Sequence, residues 1–61
     1  MNGETAKRLL LQQNPDAYAL KHKCCDSWDI ILERLDSEII VGSGDDEDSA
    51  WIDACKNEGI R

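Results

Sequence analysis

The sequence predicts an all-α fold: a small bundle of three helices, or four if the second is broken, assembled as a homodimer. Three observations lead there. Leu20, Cys24, Trp28, Ile31, Leu35 and Ile39 recur at intervals of four, four, three, four and four, the spacing of one helical face. Residues suited to starting and stopping helices bracket two further segments. A chain of 61 residues is one domain at most. It buries only about 60% of its unfolded surface and is marginal alone, which favours a second copy.

The first helix is expected near Glu4–Gln13. Asn2 or Thr5 can cap it, Glu4 suits the positive end of its dipole, and Ala6, Leu9, Leu10 and Gln13 keep helical spacing. Asn14-Pro15 interrupts, because proline disfavours helical geometry in the residue before it. Pro15 can also open a new helix behind an Asn14 cap.

That second helix is expected to run from Pro15 to about Val41. Roughly 26 residues at 1.5 Å each make a rod of about 39 Å, too long for a domain with a radius of gyration near 10–11 Å. Either it breaks at Cys25-Asp26-Ser27, where Asp26 and Ser27 can cap, or a second copy covers it. Ile39-Ile40-Val41 is β-branched, but with no visible partner strand it is assigned to the helix end or an extended exit. Gly42-Ser43-Gly44 reads as a breaker. A last helix is expected over Asp45–Glu58, capped by Asp45 or Asp46, with Trp51, Ala54 and Cys55 inward and Ile52 beside them. Gly59 stops it and Ile60 folds back. The expected core is Leu9, Leu10, Leu20, Trp28, Ile31, Leu35, Ile39, Trp51 and Cys55.

Charge is polarised along the chain. Met1–Lys23 carries four basic and two acidic residues, a net of +2; Cys24–Arg61 carries three basic and eleven acidic, a net of −8; the total is −6. A small polarised chain suggests a binding surface rather than a pocket for chemistry. With 41% hydrophobic residues the chain has enough apolar material to fold. The three cysteines, two of them adjacent, do not read as a disulfide framework. Met1-Asn2-Gly3-Glu4 does not open a secretory leader, so a cytoplasmic protein with reduced thiols is expected. No apolar run approaches the ~20 residues of a membrane span.

Sites for chemistry are sparse. His22, Cys24, Cys25 and Cys55 hold zinc-ligand residue types. The adjacent cysteines and His22-x-Cys24 lack the usual spacing, however, and no metal or cofactor is expected. The acidic run Asp45–Asp48 lacks the glycine and the ligand spacing of a calcium loop. A single histidine, no Ser–His–acid arrangement and no phosphate loop argue against an enzyme.

Asp26-Ser27-Trp28, read as opening a helix with acidic residues following, resembles the attachment site of acyl carrier proteins. In that family an Asp-Ser pair at a helix start carries phosphopantetheine on the serine. The likeness spans a few residues, with Cys24-Cys25 in place of the preceding glycine, and implies a carrier-like protein modified at Ser27. A second alternative is a direct nucleic-acid-binding regulator using Lys7, Arg8, Lys21 and Lys23, which a sequence pI near 4.4 disfavours.

The favoured reading is a non-enzymatic acidic regulatory or accessory protein, of the kind phages and mobile elements encode. It is expected to bind another macromolecule, an unidentified protein partner, through a helical surface carrying Asp45, Asp46, Glu47 and Asp48.

Overall fold

The middle of the chain pairs with itself instead of coiling. In the computed structural model, which describes residues 2–60, the order is α1 (Gly3–Gln13), β1 (Tyr18–Lys21), β2 (Trp28–Arg34), β3 (Ser37–Gly44) and α2 (Glu47–Asn57). The strands form one antiparallel sheet in the order β1-β2-β3. The chain is therefore α+β, not an all-α bundle, and the long second helix does not exist. Ile39-Ile40-Val41 lies in a strand whose partner is β2, with Leu32 opposite Ile39 and Ile31 opposite Ile40.

Two local devices make this possible. Leu35 and Asp36 form a two-residue turn between β2 and β3, with φ of +49° and +67°. Positive φ at both central residues is the condition for a type I′ hairpin, whose twist matches the strands. Leucine is an unusual occupant, and Leu35 is 98% exposed. Its helical spacing from Ile31 and Ile39 is thus coincidental, and its expected place in the core is wrong. The second device is a bulge. Ile30 pairs with Gly42 and Ile31 with Ile40, leaving Val41 as the extra residue. Val41 is buried in the core.

Both end helices form close to where expected. The Asn2 side chain accepts from the Thr5 N–H at 2.8 Å, capping α1. Asp46 does the same for α2, accepting from the Ser49 N–H at 2.7 Å. At the other end of α2 the chain leaves through Gly59 at φ +74°. The Ile60 N–H reaches the Cys55 carbonyl at 2.9 Å and the Gly59 N–H reaches that of Lys56 at 3.2 Å, the paired bonds of a Schellman stop.

α2 packs on α1, on β3 and on β2. The core cluster joins Ala6 and Leu10 of α1 to Ile30 and Leu32 of β2, Val41 of β3, and Ala50, Trp51, Ala54 and Cys55 of α2. Close approach replaces bulk here. A Cβ on Gly42 would lie 2.6 Å from the Ala54 Cα and 2.7 Å from the Ala50 carbonyl oxygen, and one on Gly44 would lie 2.7 Å from the Ser49 Cβ. Gly42 and Gly44 are not a linker; they let α2 settle onto the strand. The Cys55 thiol donates to the Ala6 carbonyl at 3.0 Å, tying the helices together, and burial pushes its pKa up. Arg34 pairs with Glu58, holding the hairpin end to the end of α2. The radius of gyration is 10.6 Å, as expected for a single compact chain of this length.

The expected core needs further correction. Leu10, Trp51 and Cys55 are central; Leu9 and Trp28 pack at its margin. Leu20 is 47% exposed and Ile39 is 37% exposed. Ile31 is buried but does not belong to the helix-side cluster.

Candidate partner-binding face

Side chains of directly opposed residues in a sheet share a face, and successive residues alternate. Ala19, Ile30 and Gly42 mark the helix side. The other side carries Tyr18 and Leu20 from β1, Asp29, Ile31 and Glu33 from β2, and Glu38, Ile40 and Ser43 from β3. α2 packs against the first side, with α1 against α2, and neither helix covers the second.

Its central row runs Tyr18–Ile31–Ile40 across all three strands. Ile31 forms a floor at 6% exposure, flanked by Tyr18 at 37% and Ile40 at 64%, with Leu20 beside Tyr18 along β1. An exposed face of an antiparallel sheet is ordinarily polar, and a contiguous apolar strip is a recurrent mark of an interaction surface.

Charge on this face has one sign. Its charged strand residues are Asp29, Glu33 and Glu38; the basic strand residues Lys21 and Arg34 fall on the helix-side register. Desolvation raises the pKa of the Tyr18 phenol, and the nearby Glu38 carboxylate adds to the rise, with Glu33 contributing less. The strand register places both acids on the face that carries the tyrosine. At the far end His22 Nε2 lies 2.5 Å from Asp29 Oδ2. A shallow hollow of about 400 Å³ beside the β2–β3 turn extends the acidic rim through Asp16, Asp36 and Glu38.

The outer edge of β3 is partly closed. The Ser43 N–H donates to Asp53 Oδ2 at 3.1 Å, and the Asn57 side-chain amide donates to the Val41 carbonyl at 2.8 Å. Side chains of α2 thus occupy backbone groups that another strand would need, a common way to blunt an edge.

Three acids of the Asp45–Asp48 run make contacts within the chain, although Asp45, Asp46 and Asp48 remain exposed. Asp46 is the α2 cap, and the bond from Ser49 lowers its pKa. Glu47 accepts from the Trp51 indole N–H at 3.0 Å and lies 3.9 Å from the Lys7 ammonium. The Asp48 side chain packs against Gly3. Asp45 alone of the four has no such role among the described residues.

The basic set is drawn from three parts of the chain. Lys7 and Arg8 are on α1, Lys21 ends β1, and Lys23 is in the connection to β2. Lys7 is also drawn over the Trp51 ring, 5.7 Å from its centroid. Lys7, Tyr18, Trp28, Glu47 and Trp51 line a cleft of about 310 Å³. Asp26 and Ser27 do not open a helix: Ser27 leads into β2, with its carbonyl accepting from the His22 N–H at 3.0 Å. The geometry on which the carrier-protein resemblance relied is absent there. Cys55 is buried on α2, whereas Cys24 and Cys25 are exposed, so the four zinc-type residues are not gathered. No group of three or more metal-ligating side chains is assembled among the described residues. No helix among them is long and apolar enough to cross a membrane.

Comparisons with protein families, with curated proteins and with solved structures give no match.

The sequence placed Leu20 in the core and marked neither Glu38 nor Ile40 as a surface residue, whereas all three are exposed. No period-two signal marked them: Asp29-Ile30-Ile31-Leu32-Glu33 and Glu38-Ile39-Ile40-Val41 are apolar runs next to acids, and only the strand pairing shows which residues share the face.

Proposed function

We propose that this chain is a small non-enzymatic binding module that receives a basic, amphipathic segment of another protein on the open face of its sheet. One observation carries the reading: an exposed apolar strip of Tyr18, Leu20 and Ile40 bounded by strand carboxylates with no basic strand residue beside them. Apolar contact would supply affinity, and charge would select the partner and speed its encounter. A second copy stacked on this face would bring carboxylates towards carboxylates. Nucleic acid would meet the same repulsion. A segment alternating apolar and basic residues satisfies both parts of the surface.

The acidic partner surface then lies on the sheet and not at the start of α2. A short peptide alternating leucine and lysine, labelled for fluorescence anisotropy, tests it. The peptide should bind the chain, and its glutamate counterpart should not. Leu20→Ser with Ile40→Ser should weaken binding by about tenfold or more, the equivalent of ~1.4 kcal/mol. Glu33→Lys with Glu38→Lys should reverse the preference between the two peptides. Equal binding by the serine variant would remove the sheet face from consideration.

A further inference from the structure

The connection from His22 to Ser27 holds two thiols in an unusual relation. Cys24 and Cys25 are adjacent and exposed, and their sulfurs are 3.1 Å apart. The connection is drawn in by two backbone bonds, Ser27 N–H to the Cys25 carbonyl at 2.8 Å and His22 N–H to the Ser27 carbonyl at 3.0 Å. The thiols therefore share one side of a pinned loop.

Their separation limits what they can bind. Adjacent α-carbons are about 3.8 Å apart across a trans peptide, whereas disulfides usually span 4.4–6.8 Å. Direct oxidation of the pair is thus strained. A bridging atom is easier. With bonds of about 2.3 Å to each sulfur, a separation of 3.1 Å sets an angle of about 85° at the bridge. Tetrahedral zinc needs a wider bite and two more donors, and among the described residues no third protein donor is assembled. A pyramidal trivalent main-group centre bonds near a right angle. If it carries one organic substituent, it needs two thiols and nothing else.

We infer that Cys24 and Cys25 form a two-point chelating site for monosubstituted trivalent arsenicals. The step is a condensation in which no atom is oxidised or reduced. Each thiol gives its proton to one hydroxyl of R–As(OH)₂, two As–S bonds replace two As–O bonds, and two waters leave. Neutral thiols suffice. The Cys25 thiol is held above its usual pKa, chiefly by its hydrogen bond with Cys24 and secondarily by desolvation. The site is independent of the partner-binding face.

Phenylarsine oxide, which hydrates to the phenyl member of this class, is the probe. Added to the intact reduced chain, it should give one phenylarsenic adduct per chain by native mass spectrometry. The adduct should survive excess glutathione, which offers single thiols, and be stripped by 2,3-dimercaptopropanol, which offers two. Cys24→Ser and Cys25→Ser should each lose the glutathione-resistant adduct, and Cys55→Ser should keep it, with circular dichroism confirming that each variant is folded. An adduct that glutathione removes from the intact chain, one that persists in Cys25→Ser, or one that requires Cys55 would overturn the site. Should Cys55→Ser fail to fold, blocking of Cys24 and Cys25 against iodoacetamide by the arsenical, read by peptide mapping of the intact chain, decides the same point.

Discussion

The indole N–H of Trp51 donates to a carboxylate oxygen of Glu47 one turn earlier in α2, at 3.0 Å. Trp51 is 2% exposed, so this acid satisfies the polar atom of the largest buried side chain while its other contact, Lys7, packs over the same ring. An acid that reads as surface charge is part of the mounting of the core. Trp51→Ala should therefore cost about 3–5 kcal/mol, enough to unfold a domain of this size. Denaturant titration checks this; a loss below about 1 kcal/mol would mean that the ring is not central.

The caps give a pH dependence with a definite sign. The Ser49 backbone bond depresses the Asp46 pKa below its ordinary 3.8 in the folded state. The ionised cap thus stabilises the fold fully above that ordinary value, and the contribution is lost as pH falls through the depressed one. Asp46→Asn keeps a capping oxygen but cannot titrate. Melting temperatures of the two proteins, followed from neutral pH to below 4, should converge as the pH falls. Parallel curves would show that Asp46 is not held by this bond. At the uncharged cap, Asn2→Ala should cost about 1 kcal/mol.

Backbone proximity makes Gly42 the least replaceable glycine of the sheet. Gly42→Ala drives a methyl group against the Ala50 carbonyl and the Ala54 backbone, and overpacking of this kind costs about 1–3 kcal/mol. Urea midpoints should place Gly42→Ala well below Ser43→Ala, whose position faces the open side. Equal midpoints would mean that α2 does not lie this close to β3.

The turn offers a change in the other direction. Leu35 and Asp36 both adopt positive φ, which costs energy for non-glycine residues, and Leu35 buries almost nothing in return. Leu35→Asn with Asp36→Gly supplies the residues a type I′ turn favours. The pair should stabilise the chain by about 1 kcal/mol. Destabilisation would indicate that the strained leucine contributes a contact of its own.

These residues also show how far the sequence could be read. The ends were legible because their signals are local: Asn2 before α1, Asp46 before α2, and Gly59-Ile60 after it act through neighbours a few positions away. The centre was not, because its decisive features are non-local or atypical. Leu35-Asp36 lacks the Asn-Gly signature of its turn, so nothing separated the two strands, and Leu35 completed a false helical stripe from Leu20 to Ile39. The bulge at Val41 shifts the alternation of β3 by one residue, which hides the two-residue period. The candidate site followed the same fate. Its acids and isoleucines are interleaved along the strands, and only pairing reveals that Glu33, Glu38, Ile31 and Ile40 share a face.

The open face is the claim on which the functional reading stands, and amide chemical-shift mapping tests it most directly. The ¹⁵N-labelled chain would be titrated with the alternating leucine–lysine peptide. Shifts should concentrate at Tyr18, Leu20, Ile31, Glu33, Glu38 and Ile40, with α1 and the acidic start of α2 unmoved. Shifts gathered instead at Asp45–Asp48, or spread evenly over every exposed acid, would contradict it.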